Sequence, residues 1–255
     1  MYLNKTINNY FLILFSLIPV TIIAGPAISI INILLIDLSF IILIIYNKNF
    51  NFLKNKTIIY LFILYIYLIF NSFISIDYSV GVLRNLGFLR IIILFAAFNY
   101  FFRDEGFFKK VITFWSIIIS IVLVDVFIES FSGKNILGFG ELYGKRVVSF
   151  FKDEPIVGGF LNGFYLIIVG FLLNELKYGK NYFIILFSII FIISILLTGE
   201  RSNTIKAVLG ISIFFMLYKN LNLKKKIIIY LSMIVLILIL VFNLSYLNLR
   251  YFNQT

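Results

Sequence analysis

The sequence contains no cysteine and no histidine, and only 13% of its residues are charged. The lack of cysteine excludes disulfides and thiolate metal sites, and the lack of histidine removes the commonest acid–base group and metal ligand. A soluble domain carries about 25% charged residues and about 45–50% apolar ones. Here 62% of the residues are hydrophobic, only three are proline, and the mean hydropathy is +1.07. This composition indicates an integral membrane protein.

Apolar runs that approach the length of a membrane span, about 17–25 residues, occur nine times. We predict an all-α, polytopic transmembrane helical bundle of about nine spans that forms a single domain over residues 1–255, with an outer loop at about 130–157. The chain stops just after the ninth run, so we expect it to be incomplete at its C-terminus. The runs lie at roughly 10–24, 27–46, 57–75, 83–101, 111–129, 157–174, 181–198, 203–218 and 227–246.

Basic residues are distributed unevenly between alternate loops. If the N-terminus is cytoplasmic, thirteen of the 22 basic residues fall in the inner loops, as the positive-inside rule requires. We therefore predict a cytoplasmic N-terminus and an outer C-terminus. The net charge of +11 then reflects membrane orientation, and nucleic acid is not an expected partner.

The two basic residue types also separate. Twelve of the sixteen lysines lie on the inner side, whereas five of the six arginines lie on the outer side or in the outer half of a span. A guanidinium binds phosphate through a fixed fork of donors, so this separation favours an outward-facing polyanion site. Chance in a lysine-rich sequence is the alternative. The five arginines are Arg84, Arg90, Arg146, Arg201 and Arg250.

Residues 196–206 (Leu-Leu-Thr-Gly-Glu-Arg-Ser-Asn-Thr-Ile-Lys) interrupt two apolar runs with charged and helix-capping residues. We predict an outer turn followed by a helix start, whose N–H groups and partial positive charge favour anions. Arg201, placed before the helix, and Lys206, inside it, would complete an anion site suited to phosphate. The predicted N-cap candidates are Ser202, Asn203 and Thr204.

Plainer interpretations of these charges stay open. Glu200 and Arg201 would form a salt bridge that stabilises the turn, and Lys206 would extend to the interface without binding a ligand. In the long loop, Asp153 and Glu154 would cap the helix that follows.

Two aspartates and two arginines lie inside predicted spans. Asp37 is in the second span and Asp125 in the fifth, and ionisable groups within a membrane are functional candidates. Pairing of either aspartate with Arg90, or a proton-relay role, is a hypothesis. Arg84 and Arg90 are six positions apart, so at most one of them is expected to face a shared cavity.

Residues 198–202 (Thr-Gly-Glu-Arg-Ser) resemble the TG-x-R-[SG] turn of the O-antigen ligase and O-antigen polymerase superfamily. Residues 146–159, with Phe-Phe-Lys-Asp-Glu-Pro before Gly-Gly, are similar to the outer loop that precedes this turn in the family. Asp37 early in the second span adds to the likeness. The resemblance covers the layout of about 1–246, although its specific motifs cover only about 25 residues.

The resemblance implies a metal- and cofactor-independent glycosyltransferase of the bacterial inner membrane, with its site facing the periplasm. Its donor would be an undecaprenyl-diphosphate-linked oligosaccharide, and a chain-length regulator protein would be a partner. Arginines would bind the diphosphate leaving group: Arg201 first and Arg146 second, with Lys206, Arg90 and Arg84 as further candidates. The catalytic base would be Glu154 or Glu200.

The alternatives differ in acceptor and in class. A ligase would pass the glycan to lipid A-core, but the family's ligases are expected to use a histidine, which this sequence lacks; a polymerase is therefore favoured. A transporter or flippase of lipid-linked sugars or another organic anion would show repeat symmetry and helices broken at mid-membrane, which the sequence does not display. A non-enzymatic scaffold would not need the outer arginines.

Overall fold

The computed structural model describes residues 5–140, 146–152, 154–175, 181–218, 222–243, 245–248 and 251. Over these residues the protein is 85% helical, and it contains no β-strand. The chain divides into two units, Met1–Thr113 and Phe114–Thr255.

The first unit is built from six helices and a short 3-10 turn, and a seventh helix begins in it. A left-handed glycine, Gly25 (φ 129°), separates α2 from α3, and Pro26 opens α3, the position at which proline fits a helix. The elements are α1 (Lys5–Ser16), α2 (Ile18–Ala24), α3 (Pro26–Asn47), the 3-10 turn (Asn51–Lys54), α4 (Lys56–Ile74), α5 (Tyr78–Leu86), α6 (Leu89–Phe101) and α7 (Glu105–Ser132), which runs into the second unit.

Phenylalanine rings hold the first unit together. Phe101 of α6 lies 4.3 Å from Phe11 of α1 and 5.2 Å from Phe107 of α7, centroid to centroid. Phe15 adds an edge-to-face contact to Phe107 at 5.8 Å. All four rings are buried, so this cluster fixes α1, α6 and the start of α7 against one another.

The second unit contains the rest of the helices. Tyr165 of α8 stacks on Phe191 of α9 at 3.8 Å and donates a hydrogen bond to Ser188, and a cluster of Leu196, Val241 and Leu247 joins α9 to the C-terminal helices. The elements are a 3-10 turn (Ser149–Phe151), α8 (Val157–Glu175), α9 (Asn181–Leu197), α10 (Arg201–Leu217), α11 (Leu223–Asn243) and α12 (Ser245–Asn248).

Five helical segments of the described chain are long and apolar enough to cross a membrane, and a sixth results if α1 and α2, which meet at 43°, form one broken span. The protein is therefore an all-α protein with the helices of a membrane-embedded chain. Each of the nine predicted runs coincides with a helix or a pair of consecutive helices, but α8 and α9 contain only shorter apolar stretches. The count of nine spans stays a prediction. The long segments are Pro26–Asn47, Lys56–Ile74, Tyr78–Phe101, Glu105–Ser132 and Lys226–Asn243.

Candidate functional site

The turn between α9 and α10 is shaped by a buried threonine and a glycine. The Thr198 hydroxyl donates to the Ile195 carbonyl at 2.6 Å and accepts from the Glu200 N–H at 3.3 Å. Gly199 follows with φ 69°, a left-handed conformation that glycine adopts without the steric cost of a Cβ. The chain thereby reverses within three residues and brings Glu200 to the start of α10.

The carboxylate of Glu200 binds the start of a different helix. One oxygen accepts a hydrogen bond from the Gly158 N–H of α8 at 2.8 Å, and the other accepts from the Asn203 side-chain amide. A carboxylate at a helix N-terminus satisfies a free N–H and is favoured by the helix dipole. Glu200 therefore caps α8 across 42 positions of sequence.

Two further contacts hold the start of α10 against the same face of α8. The Asn162 amide donates to the Asn203 carbonyl at 2.8 Å. A Cβ at Gly158 would lie 3.1 Å from the Glu200 carboxyl carbon, and one at Gly159 would lie 3.4 Å from the Asn203 amide nitrogen. Glycine at 158 is thus needed for the close approach of the carboxylate.

The structure corrects the predicted start of α10. The helix begins at Arg201, and Glu200 occupies the N-cap position with extended backbone, so the prediction of an N-cap at Ser202, Asn203 or Thr204 was wrong. The placement of Arg201 before the helix was also wrong. The polar side chains serve other purposes: Asn203 binds the Glu200 carboxylate, and Thr204 donates to the Glu200 carbonyl at 3.1 Å.

Tyr251 joins this site from the C-terminal end of the chain. Its hydroxyl lies 2.7 Å from the Thr204 hydroxyl, and its ring packs on the cluster of Leu196, Val241 and Leu247. Burial raises the pKa of Tyr251, against the opposing effects of the Thr204 hydrogen bond and the nearby Arg201 charge. The phenol is therefore a neutral neighbour of Arg201 at neutral pH.

Two carboxylates that lie one helical turn apart on α7 hold the long loop in place through hydrogen bonds. Glu129 accepts from the N–H groups of Val148 at 2.9 Å and Ser149 at 2.6 Å. Asp125 accepts from the Ile136 N–H at 2.9 Å and from the Ser149 hydroxyl at 2.5 Å. Both carboxylates are buried, and their hydrogen bonds compensate for that burial.

Asn135 completes this arrangement from inside the loop. Its side chain donates to the Ser149 carbonyl at 2.5 Å and accepts from the N–H groups of Leu137 and Phe139 at 3.0 and 2.7 Å. Val147 and Val148 are buried, and Phe151 packs on Phe160 of α8 at 5.1 Å. The loop therefore packs against the protein itself.

Segment 148–158 is consequently anchored at both ends, by Glu129 at the start and by Glu200 at the end. Arg146 is half-buried just before this segment, and Lys152 and Glu154 are exposed within it. Asp153 lies outside the described residues. The N–H of Gly158, at the start of α8, is capped by Glu200, and a capping role for Asp153 and Glu154 stays a prediction.

Four of the cationic residues predicted to bind the anion lie on three different helices. Arg201 is half-buried and Lys206 is exposed; both are helical and five positions apart, so they do not share a face of α10. In the first unit, Arg84 is exposed on α5 and Arg90 is half-buried on α6. That these four side chains contact the same anion stays a prediction.

Asp37 has an environment unlike that of the other acids. It is 3% exposed on α3, and neither carboxylate oxygen has a hydrogen-bond partner among the described residues. Arg90 is near enough to act on it electrostatically. The hypothesis of an Asp37–Arg90 pair therefore has electrostatic support, without a direct hydrogen bond.

Sequence reasoning missed the residues that build these contacts. Gly158, Asn162 and Tyr251 act through neighbours that are more than 40 positions away. The sequence does contain a signal for the contacts that Asp125 and Glu129 make with the long loop. The two residues are spaced i, i+4 and so share one face of an otherwise apolar helix. No protein-family model, curated protein or solved structure matches the chain.

Proposed function

We propose that the chain is a surface-polysaccharide polymerase, a glycosyltransferase that joins undecaprenyl-diphosphate-linked repeat units at the outer face of a bacterial inner membrane. In this proposal the chain has nine spans, a cytoplasmic N-terminus and an outer C-terminus. The acceptor hydroxyl of one repeat unit attacks the anomeric carbon of another as the bond to the diphosphate breaks. Positive charge near the departing diphosphate lowers the barrier.

The observation that carries the proposal is the position of Arg201 at the N-terminus of α10. A helix N-terminus favours phosphate, and a guanidinium beside it adds a bidentate donor. Glu200 and Asn203 hold this helix end against α8, so Arg201 starts from a fixed backbone. Arg146 stands next to the anchored segment 148–158 and is the second diphosphate ligand in the proposal.

Of the two candidate bases, Glu154 suits the reaction better. Both oxygens of Glu200 already accept hydrogen bonds that hold α10 against α8. Glu154 is exposed and free to approach an acceptor hydroxyl. We assign Glu200 a positioning role and Glu154 the role of general base.

The test is the length of the sugar chain made in a bacterial host that lacks its own polymerase. The native chain should restore a ladder of repeat units on a gel, and Arg201→Ala should abolish it while still inserting in the membrane. Arg103→Ala removes an exposed arginine from a predicted inner loop and should leave the ladder intact. Single-repeat product from the native chain would contradict the polymerase assignment for that host's glycan.

Asp37 favours a second candidate function, transport of a lipid-linked sugar or another organic anion. Buried acids within spans commonly belong to ion or proton pathways, and Asp37 is neither a diphosphate ligand nor a base in the polymerase proposal. In reconstituted vesicles, a transporter would move the labelled lipid-linked sugar between leaflets, and Asp37→Asn would slow that movement. A polymerase would lengthen the glycan with equal efficiency in both forms.

A further inference from the structure

The first unit contains a cavity of about 230 Å³ whose whole lining is apolar. It lies between α3, α4, α6 and the 3-10 turn, with Phe40, Ile44, Phe52, Phe62 and Ala96 among its walls. Its volume is several times the ~30 Å³ share of one water molecule, and a purely apolar cavity gives water no hydrogen bonds. A hydrocarbon chain is the occupant that such walls accommodate.

The lining includes residues that face outward from the unit. Ile45 is 61% exposed, Phe50 is 50% exposed and Leu53 is 43% exposed. In a membrane-embedded chain, exposed apolar side chains on the spans meet lipid. The cavity therefore reaches the surface of the unit where α3 ends and the loop begins.

Three lysines lie next in sequence to the part of the lining that comes from the loop. Lys48 ends α3 in a left-handed conformation (φ 48°), Lys54 is the last residue of the 3-10 turn, and Lys56 is the first residue of α4. All three are exposed, and they bracket Phe50 and Leu53 in the chain. Cationic heads next to an apolar cavity match a molecule that has a hydrocarbon tail and an anionic head.

The loop that carries these lysines is fixed to the helices. Asn55 accepts from the Thr57 N–H at 2.9 Å and donates to the Asn99 side chain of α6 at 3.4 Å. Phe52 packs edge-to-face on Phe40 of α3 at 5.6 Å. Cavity and lysines are thus held in one arrangement before any ligand arrives, which lowers the entropic cost of binding.

We infer that this end of the first unit binds an anionic phospholipid, with one acyl chain in the cavity and the phosphate on Lys48, Lys54 and Lys56. The inference does not depend on the proposed function, whose principal diphosphate ligands, Arg146 and Arg201, belong to the second unit. It also agrees with the predicted inner position of loop 47–56, since anionic lipids attract basic residues at the cytoplasmic leaflet.

Native mass spectrometry of the full chain in detergent tests the inference, with phosphatidylglycerol and phosphatidylcholine of identical acyl chains as probes. The chain should retain phosphatidylglycerol several-fold more than phosphatidylcholine. The triple variant Lys48→Gln, Lys54→Gln, Lys56→Gln should lose this preference. A variant with the same charge change at three other exposed lysines should keep it: Lys5→Gln, Lys110→Gln, Lys224→Gln.

The cavity is tested separately by filling it. Ala96 is 2% exposed within the lining, and Ala96→Leu should reduce retention of both lipids, with an unfolding temperature measured alongside to confirm that the variant folds. Equal retention of the two lipids by the native chain would overturn the inference. So would a phosphatidylglycerol preference that survives in the triple variant, or stronger retention of a polyprenyl phosphate than of phosphatidylglycerol.

Discussion

The Glu200 carboxylate accepts a hydrogen bond at 2.8 Å from the Gly158 N–H. These two residues come from different helices, and each depends on the other: the glycine has no Cβ to obstruct the carboxylate, and the carboxylate satisfies an N–H that the helix leaves free. The pair therefore joins the start of α8 to the start of α10.

Replacement of Glu200 by glutamine should destabilise the second unit. The amide keeps one oxygen for Gly158 but turns an NH₂ donor toward the Asn203 amide donor, so one hydrogen bond is lost. We expect a loss of about 1.5–3 kcal/mol, typical for a hydrogen bond to a charged group. Thermal unfolding of the purified chain in detergent measures it, with Glu154→Gln at an exposed site as the control, expected within about 0.5 kcal/mol of the native chain.

Gly158→Ala should destabilise the protein, whereas Gly163→Ala in the same helix should not. A Cβ at 158 meets the Glu200 carboxyl group at 3.1–3.2 Å, while a Cβ at 163 meets nothing within 4 Å. Alanine elsewhere in a helix is favoured over glycine by about 0.5–1 kcal/mol. Unfolding temperatures of the two variants should therefore move in opposite directions.

The same steric explanation can be checked in a double variant. If the carboxylate is the obstacle, Gly158→Ala should become neutral or stabilising when Glu200 is already alanine. Equal cost in both backgrounds would show that the Glu200 contact is not the reason for glycine at 158.

Ser149→Ala should loosen the long loop. It removes the only hydroxyl that donates to the buried Asp125 oxygen Oδ2 in the described part of the chain, and an unsatisfied buried acceptor costs about 1–3 kcal/mol. Limited proteolysis between residues 133 and 156 should accelerate. Ser120→Ala changes an exposed serine of α7 whose hydroxyl donates to the Ser116 carbonyl of the same helix, and it should leave the cleavage rate near that of the native chain.

Tyr251→Phe should lower stability by about 0.5–1.5 kcal/mol at neutral pH through loss of the hydrogen bond with Thr204. The substitution should also change how the stability of the protein depends on pH in the alkaline range. Because burial raises the pKa of Tyr251 above 10.0, the unfolded chain releases this proton first, so stability is lost as pH rises from about 10. Unfolding midpoints at pH 8 and pH 11 should differ less in Tyr251→Phe than in the native chain; an equal difference would mean that Tyr251 does not contribute.

The helices could be predicted from sequence because long apolar runs leave little alternative in a membrane. The residues at which the helices begin and end could not be predicted as accurately. Capping preference pointed to Ser202, Asn203 and Thr204, but the start of α10 depends on a tertiary contact between Glu200 and Gly158. A partner 42 positions away leaves no local pattern in the sequence around either residue.

The tertiary contacts of the long loop could not be predicted from local sequence patterns either. Val147, Val148 and Phe151 of the loop are buried within the protein. The spacing of Asp125 and Glu129 revealed only that both face one side of α7. That they bind backbone N–H groups of the loop depends on a turn at Ser149 with φ 48°, a conformation that sequence preference disfavours for serine.

Because Glu129 holds residues 148 and 149 and Glu200 holds residue 158, the number of residues between these two points is fixed by the distance the chain has to cover. An insertion or deletion inside this interval would have to release one carboxylate from its N–H partner, whereas exchange of the exposed Lys152 or Glu154 for another residue would not. The fold of this interval should therefore tolerate changes of residue type at exposed positions far better than changes of length.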